Sequence, residues 1–143
     1  MKNIIIGSDH AGVELKSFFK EYLENNDFKI LDVGTFDVNS CDYPDIAKSL
    51  ANKMKENSIE TGILICGTGV GMSIAVNRFS FIRGSLLYNN EVAKLAREHN
   101  NANVAIFGAR MFSKEENLEF LKTFLSTNFS NEERHKKRIT KLD

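Results

Sequence analysis

The stretch that decides the fold is Gly62-Ile63-Leu64-Ile65-Cys66-Gly67-Thr68-Gly69-Val70-Gly71, an apolar run that ends in a glycine-rich turn. Its first five residues have the length and composition of a buried strand. The turn leads into the apolar positions of a helix predicted from Val70 to Asn77. A buried strand followed at once by a helix is the repeating unit of a parallel α/β sheet.

The same alternation of strand and helix runs through all 143 residues without a linker or an internal repeat. The other predicted strands lie at Asn3 to Ile6, Lys29 to Val33, Ile82 to Leu87 and Asn103 to Phe107. The other predicted helices lie at Gly12 to Glu24, Pro44 to Lys55, Glu91 to Glu98 and Lys114 to Leu125, with an extra C-terminal helical segment from Ser130 to Leu142.

This pattern predicts a single α/β domain over residues 1–143, with a five-stranded parallel sheet between two helical layers. Such a doubly wound three-layer sandwich is expected to have the flavodoxin-like, Rossmann-like strand order 2-1-3-4-5. Ligands of this fold bind where the chain reverses its direction of growth, between strands one and three. The glycine-rich turn follows strand three, so we expect it to face that cleft.

The charge balance and the apolar pattern exclude several partners. Lysine plus arginine equal aspartate plus glutamate at 19 each, so neither nucleic acid nor an anionic membrane surface is an expected partner. The apolar runs are far too short to span a membrane and no signal-peptide pattern is present, which predicts a cytoplasmic protein. Two cysteines without metal-ligand spacing predict neither a disulfide framework nor a metal site.

The glycine-rich turn allows two interpretations. Gly67, Gly69 and Gly71 leave the backbone free to direct several N–H groups at one anion near a helix start. Alternatively, they serve only as an ordinary turn. Cys66 is equally ambiguous, since a helix start favours its thiolate whereas an apolar strand favours a buried, inert thiol. Cys41 lies in a polar loop, and we assign it no role.

Polar side chains near other element ends are further candidates. Asp9 and His10 follow the first strand, where they face the expected cleft or only orient the turn. His99 ends a helix, as a proton-transfer group or as a cation at a helix C-terminus.

Arginines near the end of the chain suggest a phosphate site. Arg134 and Arg138 are four residues apart, which places both on one helical face where a phosphate would fit between them. A solvated basic helix end is the alternative. Arg110, after the fifth strand, is a third candidate.

Taken together, these motifs resemble ribose-5-phosphate isomerase type B over nearly the whole chain. They are Ser8-Asp9-His10-Ala11-Gly12, Asp42-Tyr43-Pro44-Asp45, Cys66-Gly67-Thr68-Gly69-Val70-Gly71, His99-Asn100, Phe107-Gly108-Ala109-Arg110 and Arg134-His135 with Arg138. The same superfamily includes galactose-6-phosphate isomerase subunits and an allose-6-phosphate isomerase. The resemblance therefore implies the reaction class more firmly than the sugar.

The resemblance implies a cofactor-free and metal-free conversion of ribose 5-phosphate to ribulose 5-phosphate through a cis-enediolate, in the non-oxidative pentose phosphate pathway. It makes Cys66 the base at C2 and His99, helped by Thr68, the acid that opens the sugar ring. The implied oxyanion donors are the N–H groups of Gly67, Thr68, Gly69, Val70 and Gly71. The implied ligands are Asp9, His10, Tyr43 and Asn100 for the hydroxyls, and Arg134, Arg138, His10 and Arg110 for the phosphate.

The resemblance also implies a homodimer, or a dimer of dimers, with shared active sites. His99, Asn100 and Arg110 would come from the neighbouring subunit. One departure is that Asn131-Glu132-Glu133 replaces the glycines that relatives often carry before Arg134. Two other functions stay open: a non-catalytic anion- or nucleotide-binding module, and a subunit of a hetero-oligomeric hexose-phosphate isomerase.

Overall fold

One five-stranded sheet forms the centre of the protein in the computed structural model, which describes residues 2–142. Its strands are β1 (Lys2–Ser8), β2 (Phe28–Asp32), β3 (Gly62–Cys66), β4 (Gly84–Leu86) and β5 (Val104–Gly108). The helices are α1 (Val13–Asn25), α2 (Tyr43–Asn57), α3 (Val70–Val76), α4 (Asn90–Glu98), α5 (Lys114–Ser126) and α6 (Glu133–Thr140). All strand pairings are parallel, which confirms the predicted α/β class with an extra C-terminal helix.

The strand order is β2-β1-β3-β5-β4, so the predicted order 2-1-3-4-5 is wrong for its last two strands. Every residue of β5 is buried, as in β3, whereas the three residues of β4 are only half-buried. A fully buried strand belongs at the centre of a parallel sheet, and a short, partly exposed strand suits the edge. The chain still changes its direction of growth between β1 and β3, as predicted.

Two apolar clusters fill the space between the sheet and its helices. One cluster joins the sheet to α1, α4 and α5, and the other joins its opposite face to α2 and α3. Side chains of a strand alternate between faces, so Ile4 and Ile6 enter the first cluster and Ile5 enters the second. The predicted three-layer sandwich is therefore confirmed.

Two helix starts follow from local sequence signals. Pro44 lies in the first turn of α2, where a missing N–H costs nothing. At α5, the Ser113 side chain accepts from the Glu116 N–H, and the Glu116 side chain accepts from the Ser113 N–H, so the two residues form a capping box. Within residues 2–142, no helix is long and apolar enough to cross a membrane.

Candidate active site

The glycine-rich turn after β3 begins with a buried thiol. Cys66 is 5% exposed and packs in the apolar cluster beneath α2 and α3. Its Sγ accepts a hydrogen bond from the Gly69 N–H, with 3.2 Å between sulfur and nitrogen. Charged acceptors make the stronger hydrogen bonds, so this donor suits a sulfur that carries negative charge. The sulfur lies beside the start of α3, as the sequence predicts.

The backbone of the turn depends on Gly69. Its φ is +83°, in the left-handed region that side chains disfavour, and a β-carbon there would lie 2.4 Å from Leu86 Cδ1. The neighbouring Thr68 is exposed, and its Oγ1 accepts a hydrogen bond of 3.2 Å from the Val70 N–H. Because that oxygen serves as an acceptor here, the hydroxyl hydrogen remains able to point outward toward a ligand.

Two longer side chains lie over the turn. Arg110 Nη1 lies 3.0 Å from where a β-carbon on Gly67 would stand, and the Tyr43 ring lies 2.8 Å from the equivalent point on Gly71. The Arg110 N–H also donates to the Gly67 carbonyl oxygen at 2.9 Å. The Arg110 guanidinium thus lies over the turn of its own chain, because β5 pairs directly with β3. Its implied contribution to the site of a neighbouring subunit stays a prediction.

Asp9 and His10 lie at the adjacent end of β1. Asp9 is 8% exposed, and its Oδ1 accepts a hydrogen bond of 2.9 Å from the Ala11 N–H, so one carboxylate oxygen orients the turn. His10 Nδ1 accepts from the backbone N–H of Cys41 at 3.3 Å. An imidazole whose Nδ1 is an acceptor carries its hydrogen on Nε2, which can then donate to a ligand.

These residues form a first group, which we call the thiol site. Its members are Asp9, His10, Tyr43, Cys66, Gly67, Thr68, Gly69, Val70, Gly71 and Arg110. They come from the carboxyl ends of β1, β3 and β5 and from the start of α2. Carboxyl ends of parallel strands meet at one edge of the sheet, which is where ligands of this fold bind.

The other predicted site residues lie together elsewhere: His99, Asn100, Arg134 and Arg138. His135, which was not a predicted site residue, lies among them, and we call these five residues the histidine site. The rings of His99 and His135 stack with centroids 4.3 Å apart and planes 18° from parallel. Beside them is a cavity of about 200 Å³, lined in part by Asn100 and Arg138. The Ser130 N–H donates to the Glu98 carbonyl oxygen at 3.2 Å, which ties the segment before α6 to the end of α4.

Sequence reasoning gave His135 no role, although it is the one buried residue among those that α6 contributes to the described chain. Burial lowers the pKa of His135, and its neighbours Arg134, His99 and Arg138 lower it further against the opposing effect of Glu132. The lowered pKa favours a neutral His135 ring, which can stack on the His99 ring without electrostatic repulsion. The available signal was the spacing of Glu132 and His135, three residues apart on one helical face.

Within one chain, the thiol site lies at the carboxyl ends of the strands and the histidine site lies at their amino ends. In the parallel register Gly62 pairs with Val104 and Cys66 pairs with Gly108. His99 precedes β5 and Cys66 is level with the end of β5. The length of this five-residue strand, about 13 Å, therefore separates the end of the sheet near His99 from the end that holds Cys66. The structure therefore brings Asp9, His10 and Cys66 together as expected, but it does not bring His99 to them.

Known proteins share this architecture over almost the entire chain. The sequence model of a family described as Ribose/Galactose Isomerase matches residues 4–142. Ribose-5-phosphate isomerase B of Escherichia coli is 40% identical over 115 residues, covering 80% of this chain and 77% of that protein.

Two solved structures are similar throughout. A ribose 5-phosphate isomerase from Thermotoga maritima has a TM-score of 0.95 and 44% identity, covering 99% of this chain and 97% of that one. Ribose-5-phosphate isomerase B from Mycoplasma genitalium, with bound ribulose 5-phosphate, has a TM-score of 0.91 and 43% identity, covering 98% and 93%. This chain belongs to the ribose/galactose isomerase family.

Proposed function

We propose that this protein interconverts ribose 5-phosphate and ribulose 5-phosphate as an aldose–ketose isomerase of the non-oxidative pentose phosphate pathway. The observation that carries the proposal is the Cys66 sulfur, which accepts the Gly69 N–H at 3.2 Å in a glycine-rich turn. The family relative that holds ribulose 5-phosphate supports a pentose substrate. We expect the reaction in the cytoplasm, because a charged sugar phosphate does not cross a bilayer unaided.

The proposed reaction moves one hydrogen between two carbons. The Cys66 thiolate takes the proton from C2, and the electron pair of the broken C–H bond forms the C1–C2 double bond of an enediolate. The negative charge that develops on O1 lies near backbone N–H groups of the turn, which stabilise it as an oxyanion hole does. The O2 proton then moves to O1, and the proton held by Cys66 returns to C1 as the carbonyl forms at C2, which gives the ketose and restores the thiolate.

The other groups that this reaction needs come from both the histidine site and the thiol site. His99, assisted by the outward hydroxyl of Thr68, would protonate the ring oxygen and open the furanose. Arg134, Arg138 and Arg110 would hold the phosphate together with His10 Nε2. A bound phosphate far from C1 and C2 orients these atoms toward the sulfur and lowers the entropic part of the barrier.

A homodimer with shared sites would join the two groups of residues. Since one chain holds Cys66 and His99 at opposite edges of its sheet, a complete site needs the histidine site of a second copy facing the thiol site of the first. When two identical chains pair about a two-fold axis, a single interface creates two equivalent sites. Val70 and Ile74 on α3 are 50% and 56% exposed, and they supply apolar surface beside the thiol site for such a contact. Sedimentation at assay concentrations tests the dimer, and a molecular mass equal to that of one chain would contradict it.

The reaction is tested with purified protein and a panel of aldose phosphates. We expect ribose 5-phosphate to form ribulose 5-phosphate, followed by proton NMR, with the rate unchanged by a strong chelator. Exchange of the C1 hydrogen with deuterated water would report the enediolate. Turnover of allose 6-phosphate or galactose 6-phosphate, without turnover of ribose 5-phosphate, would contradict the pentose assignment.

A further inference from the structure

Glu132 places its carboxylate beside two side chains of the first turn of α6 and does not cap the backbone of that helix. It is the N-cap residue of α6, but its side chain accepts no hydrogen bond from the backbone of that helix. Shorter polar side chains are the usual N-caps, because their oxygens reach the free N–H groups of the first turn. Glu132 Oε2 instead lies 3.4 Å from Arg134 Nη2 and 3.1 Å from His135 Nε2.

The adjacent Glu133 has different contacts. Its side chain is 91% exposed, and its Oε1 lies 3.4 Å from Lys136 Nζ. Neither Arg134 nor His135 is a partner of this carboxylate among the contacts of the described residues. These two neighbouring residues of equal charge therefore differ in exposure and in their partners, and only Glu132 contacts the histidine site.

We propose that Glu132 is an internal counter-ion of Arg134, which the phosphate group of the substrate displaces when it binds. This inference rests on the proposed function, since it takes Arg134 as a phosphate ligand. Arg134 offers its guanidinium either to the carboxylate of Glu132 or to an incoming phosphate. Glu132 thereby weakens binding of the phosphate and sets the substrate concentration at which the site fills.

The size of the effect follows from the exposure of the pair. The side chains of Arg134 and Glu132 are 59% and 53% exposed, and solvent screens most of their attraction. A phosphate dianion makes a stronger, bidentate contact with arginine, so it can displace the carboxylate. Removal of the competing charge should tighten phosphate binding by about two- to fivefold.

The groups facing His135 provide a second readout. Arg134 and Arg138 from α6 and His99 from the end of α4 lower the pKa of His135, and Glu132 alone among these charged neighbours raises it. Replacement of Glu132 by a neutral residue should therefore lower the pKa of His135 still further.

The experiment compares Glu132→Gln with its matched control Glu133→Gln. Each variant removes one negative charge and keeps the size of the side chain. We expect Glu132→Gln to bind inorganic phosphate about two- to fivefold more tightly in calorimetric titration, with a matching fall in KM for ribose 5-phosphate and a kcat within about twofold of the parent. NMR titration should give a lower pKa for His135 in that variant and the parental value in Glu133→Gln.

Two outcomes would overturn the proposal. One is phosphate binding in Glu132→Gln that is no tighter than in the parent. The other is equal tightening in both variants, which would reflect net charge and not a specific contact. Tighter phosphate binding in Glu132→Gln alone, in a protein that does not turn over ribose 5-phosphate, would uphold the counter-ion and reject the isomerase.

Discussion

The thiol site and the histidine site are built from different parts of the fold. In the thiol site, Cys66 and Asp9 stand at strand ends, are less than a tenth exposed and are held by backbone hydrogen bonds. In the histidine site, Arg134 and Arg138 are exposed on a short helix, and His135 is buried. One site has its key groups buried at the ends of sheet strands, whereas the other presents exposed cationic side chains on the surface.

This difference separates the consequences of mutation at the two sites. Changes in buried, hydrogen-bonded groups cost folding free energy as well as function, whereas changes in exposed side chains usually alter stability by less than about 0.5 kcal/mol. Substitutions of Cys66 or Asp9 should therefore affect both stability and chemistry, whereas substitutions of the arginines of the histidine site should affect binding and chemistry alone.

The largest expected effect is that of Cys66→Ala on turnover. Loss of a positioned proton-transfer group costs about 10²–10⁴ in rate, so kcat for ribose 5-phosphate should fall by that factor. Cys41→Ala is the matched control, because it also removes a thiol but keeps the N–H that His10 accepts. The measurement is steady-state kinetics on both variants. A Cys66→Ala enzyme as active as the parent would exclude the sulfur as the base.

A mixture of two inactive variants tests whether the two sites meet across subunits. Cys66→Ala and His99→Asn chains, unfolded and refolded together in equal amounts, should recover about a quarter of the parental activity, since half the dimers would hold one intact site. Each variant refolded alone serves as the control. Recovery no greater than the sum of the separate variants would mean that the site does not combine these residues from two chains.

A stability comparison contrasts the backbone of one site with the surface of the other. Gly69→Ala should lower the free energy of unfolding by about 2 kcal/mol, since alanine disfavours a φ of +83° and its methyl group would clash with Leu86. Arg134→Ala should change it by less than about 0.5 kcal/mol. Urea denaturation measures both values. Equal losses in the two variants would remove the distinction between a rigid and an exposed site.

The smallest expected effect is on the pH dependence of stability. Burial lowers the pKa of His135 below its ordinary value of 6.5, so in the pH range just below 6.5 the unfolded chain binds more protons than the folded one. The stability that the neutral ring contributes is complete above 6.5 and declines as the pH falls through that range. His135→Asn should therefore lose less thermal stability between neutral and mildly acidic pH. Identical pH profiles of the melting temperature would contradict this.

The sequence predicted the fold where local signals dominate. The bounds of β3 were predicted without error, because the apolar run begins and ends at glycines, and the capping box at Ser113 marked the start of α5. The positions of β4 and β5 were not predictable from adjacency along the chain. Their order depends on burial: all of β5 is apolar and enclosed, whereas β4 keeps only Gly84 to Leu86 in the ladder.

The same distinction applies to the site. Asp9, His10 and Cys66 could be placed together because the topology alone brings the ends of β1 and β3 to one edge. The stack of His99 on His135 depends on how α6 packs against the end of α4, which involves residues more than thirty positions apart. No local pattern predicts such a contact, and the roles of all these residues in catalysis remain predictions.

The contact between His10 Nδ1 and the backbone N–H of Cys41 has a consequence for how this loop tolerates change. The donor belongs to the main chain, so any residue except proline can supply it, and side-chain identity at this position carries no information about the contact. Alanine scanning would pass over the loop as silent. The orientation of the His10 imidazole would depend on the Cys41 peptide N–H. Only a proline substitution or a changed loop length would remove that hydrogen bond and so expose its role.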